Sequence, residues 1–108
     1  MLPKTRYFTL RQRARKKRRQ RLWQAMRIMR QFTVRELMAA CEVEERRTVQ
    51  AYLSLLRRAG FLRVVHADGA RHEPSRYHLI RDSGPHGPSV IHRGRTVWDL
   101  NTDKEYPL

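Results

Sequence analysis

Apolar positions along the chain fall into three helical stripes and then change period. From about Arg19 to Gln31, Leu22, Met26 and Met29 recur at i, i+4 and i+7, with Trp23 and Ala25 beside them; this spacing predicts a first helix. Phe32 then precedes Thr33-Val-Arg-Glu36, a capping-box pattern in which Thr33 caps the helix and Glu36 reaches back to its amide. A second helix is expected over about Val34 to Cys41, with Leu37, Ala40 and Cys41 inward. Glu42-Val43-Glu44 reads as a short turn. A third helix follows from about Glu45 to Ala59, its apolar stripe being Val49, Tyr52, Leu53 and Leu56. Gly60 is placed to supply a left-handed cap.

Beyond Gly60 the pattern turns to β. Phe61–His66 and Arg76–Ile80 mix β-branched or aromatic residues with polar ones. Between them, Asp68-Gly69 and Pro74 mark a turn-rich loop, so the pair reads as a hairpin with a long tip. Residues 82–89 contain two Gly-Pro pairs and read as a boundary. Val90–His92 and Thr96–Trp98, around a turn at Arg93-Gly94-Arg95, suggest a short hairpin in an otherwise irregular tail. The expected organisation is a basic N-terminal arm (1–18), a body (19–81) and a tail (82–108).

Length and charge sharpen this outline. A chain of 108 residues holds one small domain and its tails. Its net charge is +14, and the excess is concentrated. Residues 1–31 hold 12 Lys/Arg and no acid, whereas residues 82–108 hold three against four. The densest run is Arg11, Arg13, Arg15, Lys16, Lys17, Arg18, Arg19 and Arg21. A patch of this kind points to a polyanionic partner. Like charges at i, i+4 oppose one another by roughly 0.2–0.5 kcal/mol per pair, and cations oppose the dipole at a helix N-terminus. The arm is therefore expected to be frayed alone and to become helical when phosphates neutralise it.

Other chemistry is sparse. Cys41 cannot form an internal disulfide, sits on the apolar side of the second helix, and reads as a core residue; a reducing compartment fits it. No apolar run approaches the length of a membrane span, and no apolar segment follows the basic N-terminus, so a cytoplasmic location is expected. His66, His72, His78, His86 and His92 lack tight ligand spacing, so no metal and no cofactor are expected. Asp99, Asp103 and Glu105 have no second acid or base placed with them, and no phosphate-cradling glycine loop is present, so catalysis is not expected. Trp23 and Trp98 read as packing residues.

Three helices followed by a hairpin, together with Arg47-Thr-Val-Gln-Ala-Tyr-Leu53 and Leu56-Arg-Arg-Ala-Gly-Phe-Leu62, resemble the winged helix-turn-helix superfamily of bacterial and phage transcription regulators. Residues 19–81 carry the resemblance. The phrase Val97-Trp-Asp-Leu-Asn-Thr102 is similar to tails of small prophage DNA-binding proteins. The resemblance implies an α+β, mainly α fold: three helices, a β-hairpin wing, a basic arm and an irregular tail. It implies a nucleoid-associated DNA-binding regulator whose third helix enters the major groove. Opposite the buried stripe of that helix stand Arg46, Arg47, Thr48 and Gln50, with Ser54 further along; Arg can pair with guanine and Gln with adenine. The resemblance also implies phosphate contacts from Thr33 and Arg35 at the start of helix two, and from Arg71 and His72 in the wing. Glu44 and Glu45 depart from the usual cap residues. They repel nearby phosphates, and either help the helix start or accept from cytosine N4. Three alternatives stay open: a non-specific DNA binder, an RNA-binding protein, and a protein-interaction module that occupies a host factor. Dimerisation on a two-fold site is also open.

Overall fold

A computed structural model describes the backbone of residues 10–65 and 76–108, with side chains from residue 17 onward. Nine elements are present among the described residues: α1 (Leu10–Met29), β1 (Gln31–Thr33), α2 (Val34–Cys41), α3 (Arg46–Arg58), β2 (Leu62–Val65), β3 (Arg76–Leu79), β4 (Ser89–Ile91), β5 (Thr96–Asp99) and β6 (Lys104–Pro107). They form three helices and two antiparallel three-stranded sheets, in the orders β1-β3-β2 and β4-β5-β6.

This corrects the mainly α fold with a single hairpin wing and an irregular tail. Two features overturn it. Gln31–Thr33, read only as the lead-in to a cap, also pairs with Arg76–His78 and makes the first hairpin a three-stranded sheet. The tail does form the suggested hairpin, but a third strand, β6, then pairs along β5, with Val97 opposite Tyr106 and Trp98 opposite Glu105. The central strand β5 is buried throughout.

Helix boundaries also differ in places. α1 starts at Leu10, not near Arg19, so it takes in residues 10–18 of the expected arm. Arg and Lys favour helix intrinsically, which suits this extension. α2 matches its expected span. Its capping box is complete: the Glu36 amide donates to the Thr33 hydroxyl at 3.1 Å, and the Thr33 amide donates to Glu36 Oε1 at 2.9 Å. That amide, aided by Arg76, holds the Glu36 carboxyl below the ordinary carboxylate range. A carboxyl lowered by folding stabilises above its unfolded pKa, and the contribution disappears as pH falls through the folded value. Thr33→Ala should cost about 1 kcal/mol in denaturant unfolding at neutral pH, with a smaller penalty in acid where the box is already weakened.

One core joins both sheets to the helices. Leu22, Trp23 and Met26 of α1 meet Leu37 and Cys41 of α2, and Val49, Tyr52, Leu53 and Leu56 of α3. Phe32, Phe61, Leu62, Leu79 and Val97 complete it from the strands. The expected stripe of α3 is buried throughout, that of α1 is buried at Leu22, Trp23 and Met26 and partly at Ala25 and Met29, whereas Ala40, expected inward, is exposed.

Of residues 82–89, read as a boundary, 82–88 instead lie along three turns of α1 and Ser89 begins β4. Asp82 accepts from Arg27 Nε at 2.9 Å and pairs with Arg30 at 3.2 Å. The Trp23 indole donates to the Gly84 carbonyl at 2.9 Å. Gln20 and Gln24 both donate to the Pro85 carbonyl, and the Gly87 amide donates back to Gln20. On the far side Asn101 accepts from the His86 amide and donates to the His86 carbonyl. The close fit explains two glycines. A Cβ on Gly84 would lie 2.7 Å from the Asn101 side chain, and one on Gly87 would lie 3.0 Å from Trp23 Cβ.

Candidate nucleic-acid interface

The buried stripe of α3 fixes which of its residues face outward. With Val49, Tyr52, Leu53 and Leu56 turned into the core, Arg46, Arg47, Gln50, Ala51, Ser54, Arg57 and Arg58 are exposed and Thr48 is half-buried. α2 approaches α3 through a left-handed residue, Glu42 at φ 54°, followed by buried Val43. The outward face of α3 holds no acid from Arg46 to Arg58.

The first turn of α3 breaks a local rule. Arg46 and Arg47 stand at the positive end of the helix dipole, where cations are disfavoured by roughly 0.3–1 kcal/mol each. Glu45 is the N-cap but makes no side-chain capping hydrogen bond. Exposed Glu44 and Glu45 therefore offset the two arginines by charge alone.

The basic run of α1 divides by environment. Lys17 and Arg21 are exposed, and Arg18 and Arg19 are half-buried. The Arg19 guanidinium lies 5.4 Å from the centroid of the Tyr52 ring, a cation–π contact that ties α1 to α3. The Tyr52 hydroxyl donates to the Pro88 carbonyl at 2.7 Å. Burial pushes that phenol well above its ordinary pKa, with the Arg19 charge partly opposing, so it remains a neutral donor. Arg11, Arg13, Arg15 and Lys16 belong to the first turns of α1, and their side chains lie outside the described residues.

The remaining expected contacts are distributed unevenly. Arg35 is exposed on the first turn of α2. Thr33 beside it is buried, and its hydroxyl accepts from the Glu36 amide in the cap. Arg71 and His72 lie outside the described residues. Arg57 and Arg58 extend the basic face of α3, although reading the helix from its N-terminal end passes over them.

Among the described residues five of the eight acids are engaged within the fold, Glu42, Glu44 and Glu45 being the others. Glu36 holds Thr33 and Arg76, and Asp82 holds Arg27 and Arg30. Asp99, fully buried, accepts from Asn101 and Thr102 in its own turn. Asp103 accepts from the Trp98 indole, and Glu105 lies 3.6 Å from His92. Among the described residues, none of Arg46, Arg47, Arg57 and Arg58 has a carboxylate within ion-pair distance.

Other chemistry is limited to a few features. Among the described residues no three His, Cys, Asp or Glu side chains are grouped as a metal ion would require. Cys41 is buried, and its thiol, raised in pKa by burial, donates to the Arg21 carbonyl. An open apolar groove between α1 and α2 is lined by Ala25, Ile28, Met29, Ala40 and Cys41 among others. No described helix is long and apolar enough to cross a membrane. In comparisons with known proteins, no family model, no curated protein and no solved structure matches the chain.

Proposed function

We propose that the chain binds duplex DNA, reading the major groove with the outward face of α3 and holding phosphates with the basic half of α1. The observation that carries this reading is the acid-free outward face of α3, with four exposed arginines, on a chain of net charge +14. Among the described residues five of the eight acids are taken up by internal contacts, while four arginines of α3 face solvent without ion pairs. Two of them sit where the helix dipole opposes them. Departures from local preference of this kind are expected where function requires them. Gln50, Ala51 and Ser54 lie between the arginine pairs and leave room for base edges.

The resemblance of residues 19–81 to helix-turn-helix regulators supports the same assignment of α2 and α3. The role in this reading is that of a bacterial or phage transcription regulator, cytoplasmic and bound to the nucleoid. The basic half of α1 supplies sequence-independent affinity, and the first turns of α3 supply preference. RNA is the competing polyanion, because arginine-rich segments also bind structured RNA.

Selection from a random duplex pool at physiological salt tests the reading. The intact protein should enrich a motif. The double variant Arg46→Ala/Arg47→Ala should lose about 1–3 kcal/mol of discrimination per lost base pairing, while general affinity is largely kept. A pool that stays random with the intact protein would remove sequence-specific regulation from the account. Structured RNA displacing duplex DNA at equal concentration would move the assignment to RNA.

A further inference from the structure

The C-terminal end of α3 carries a second basic cluster. Arg57 and Arg58 are exposed in its last turn. Gly60, at φ +89°, turns the chain sharply, and a Cβ on it would lie 3.7 Å from the Arg81 guanidinium. Arg81 is therefore held over the end of the helix. Two rings fix it there, with the guanidinium 5.5 Å from the centroid of Phe61 and 5.2 Å from that of Tyr106. Those rings pack edge to face at 5.3 Å. Arg81 remains exposed, and among the described residues none of the three arginines has a carboxylate partner. The adjacent acid, Asp82, is occupied by Arg27 and Arg30.

This end contrasts with the start of α3, where Glu44 and Glu45 cancel Arg46 and Arg47 in net charge. Formal positive charge along the helix is therefore greatest at its C-terminal end, where the arginines outweigh the negative end of the dipole. A guanidinium already held by stacking loses less conformational entropy on binding than an unsupported one, and its planar fork suits a phosphate. From Arg47 to Arg58 the helix rises about 16 Å, against a major groove about 12 Å wide. A helix that places its first turns on base edges can thus bring its last turn to the flanking backbone.

We propose that Arg57, Arg58 and Arg81 form a phosphodiester-binding site at the C-terminal end of α3, clamping the nucleic-acid backbone. The proposal rests on the DNA-binding reading. A purely structural role also exists for Arg57 and Arg58, since cations at a helix C-terminus are favoured by its dipole. That role changes thermal stability, not the number of counterions released on binding.

Salt-dependent binding to a mixed-sequence duplex separates the two. Arg57→Gln/Arg58→Gln should reduce the steepness of log K against log salt by about 1.8 and weaken binding about 60-fold near 0.1 M salt. Arg81→Gln should reduce it by about 0.9, with binding about eight-fold weaker. Arg93→Gln/Arg95→Gln removes the same charge as the first variant from the exposed β4–β5 turn and should leave the slope unchanged. Equal slope changes in the two double variants would overturn the site in favour of bulk charge. A shifted melting temperature with an unchanged slope in Arg57→Gln/Arg58→Gln would overturn it in favour of the dipole role. Failure of the intact protein to bind any duplex defeats the DNA reading itself, and the site with it.

Discussion

A chain ending at Arg81 is expected to lose its cooperative unfolding transition. Residues 82–108 are built into the body rather than appended to it. Their removal takes Val97 out of the core and uncovers the surfaces packed by Tyr106 and Leu108. It also strips the Gly84 carbonyl from the Trp23 indole and the Pro88 carbonyl from the Tyr52 hydroxyl. Trp23 is fully buried and Tyr52 nearly so. Each buried donor left unsatisfied costs about 1–3 kcal/mol, and each lost core contact adds to that. The total stability of a small domain is only about 5–15 kcal/mol. Circular dichroism on heating checks the expectation. The truncated chain should show no sigmoidal transition. A sharp melt within a few degrees of the full chain would mean that the second sheet is dispensable.

Replacing the eight cations from Arg11 to Arg21 with glutamine is expected to weaken DNA binding at least about 10³-fold near 0.1 M salt. If about six of them meet phosphates, they contribute a slope near −5 in log K against log salt. Glutamine preserves helix propensity, so α1 should persist, and circular dichroism should show its helicity retained. Arg19 is an exception within the set, because its guanidinium also packs on Tyr52. A variant that leaves Arg19 in place keeps that contact and should retain the parent melting temperature. Binding lost together with the fold would show instead that the basic run is structural.

The most legible parts of the fold were those specified by short-range spacing. The Thr33–Glu36 capping box and the Val49-Tyr52-Leu53-Leu56 stripe depend on contacts within one helix, and both stand in the structure. The second sheet was half legible. Val90–Ile91 and Thr96–Trp98 announce a hairpin, but Lys104-Glu-Tyr-Pro107 reads as polar and ends in proline. Its strand character comes from pairing along β5 rather than from its own residues. The strap at 82–88 was misleading because glycine and proline commonly end elements. Gly84 and Gly87 instead allow close approach to Asn101 and Trp23. The polar positions Gln20, Gln24 and Arg27 look like a solvent face, yet they bond to residues 55–67 positions away.

The candidate site divides in the same manner. Arg46, Arg47 and Gln50 follow from the phase of the α3 stripe, and all three are exposed. Thr33 is the cap of α2 that the spacing predicts, and it is buried there. Arg57 and Arg58 were hidden by an adequate local explanation, the helix dipole. Arg81 was hidden because its relation to them depends on Gly60, Phe61 and Tyr106 meeting in space.

The central claim is that a cationic surface uncompensated within the fold grips a polyphosphate backbone. The most direct measurement is the affinity of the intact protein for a mixed-sequence duplex over a series of salt concentrations. The account predicts tight binding in dilute buffer that falls about 10³-fold between roughly 50 and 200 mM salt. Affinity that is absent in dilute buffer, or that barely responds to salt, would contradict it.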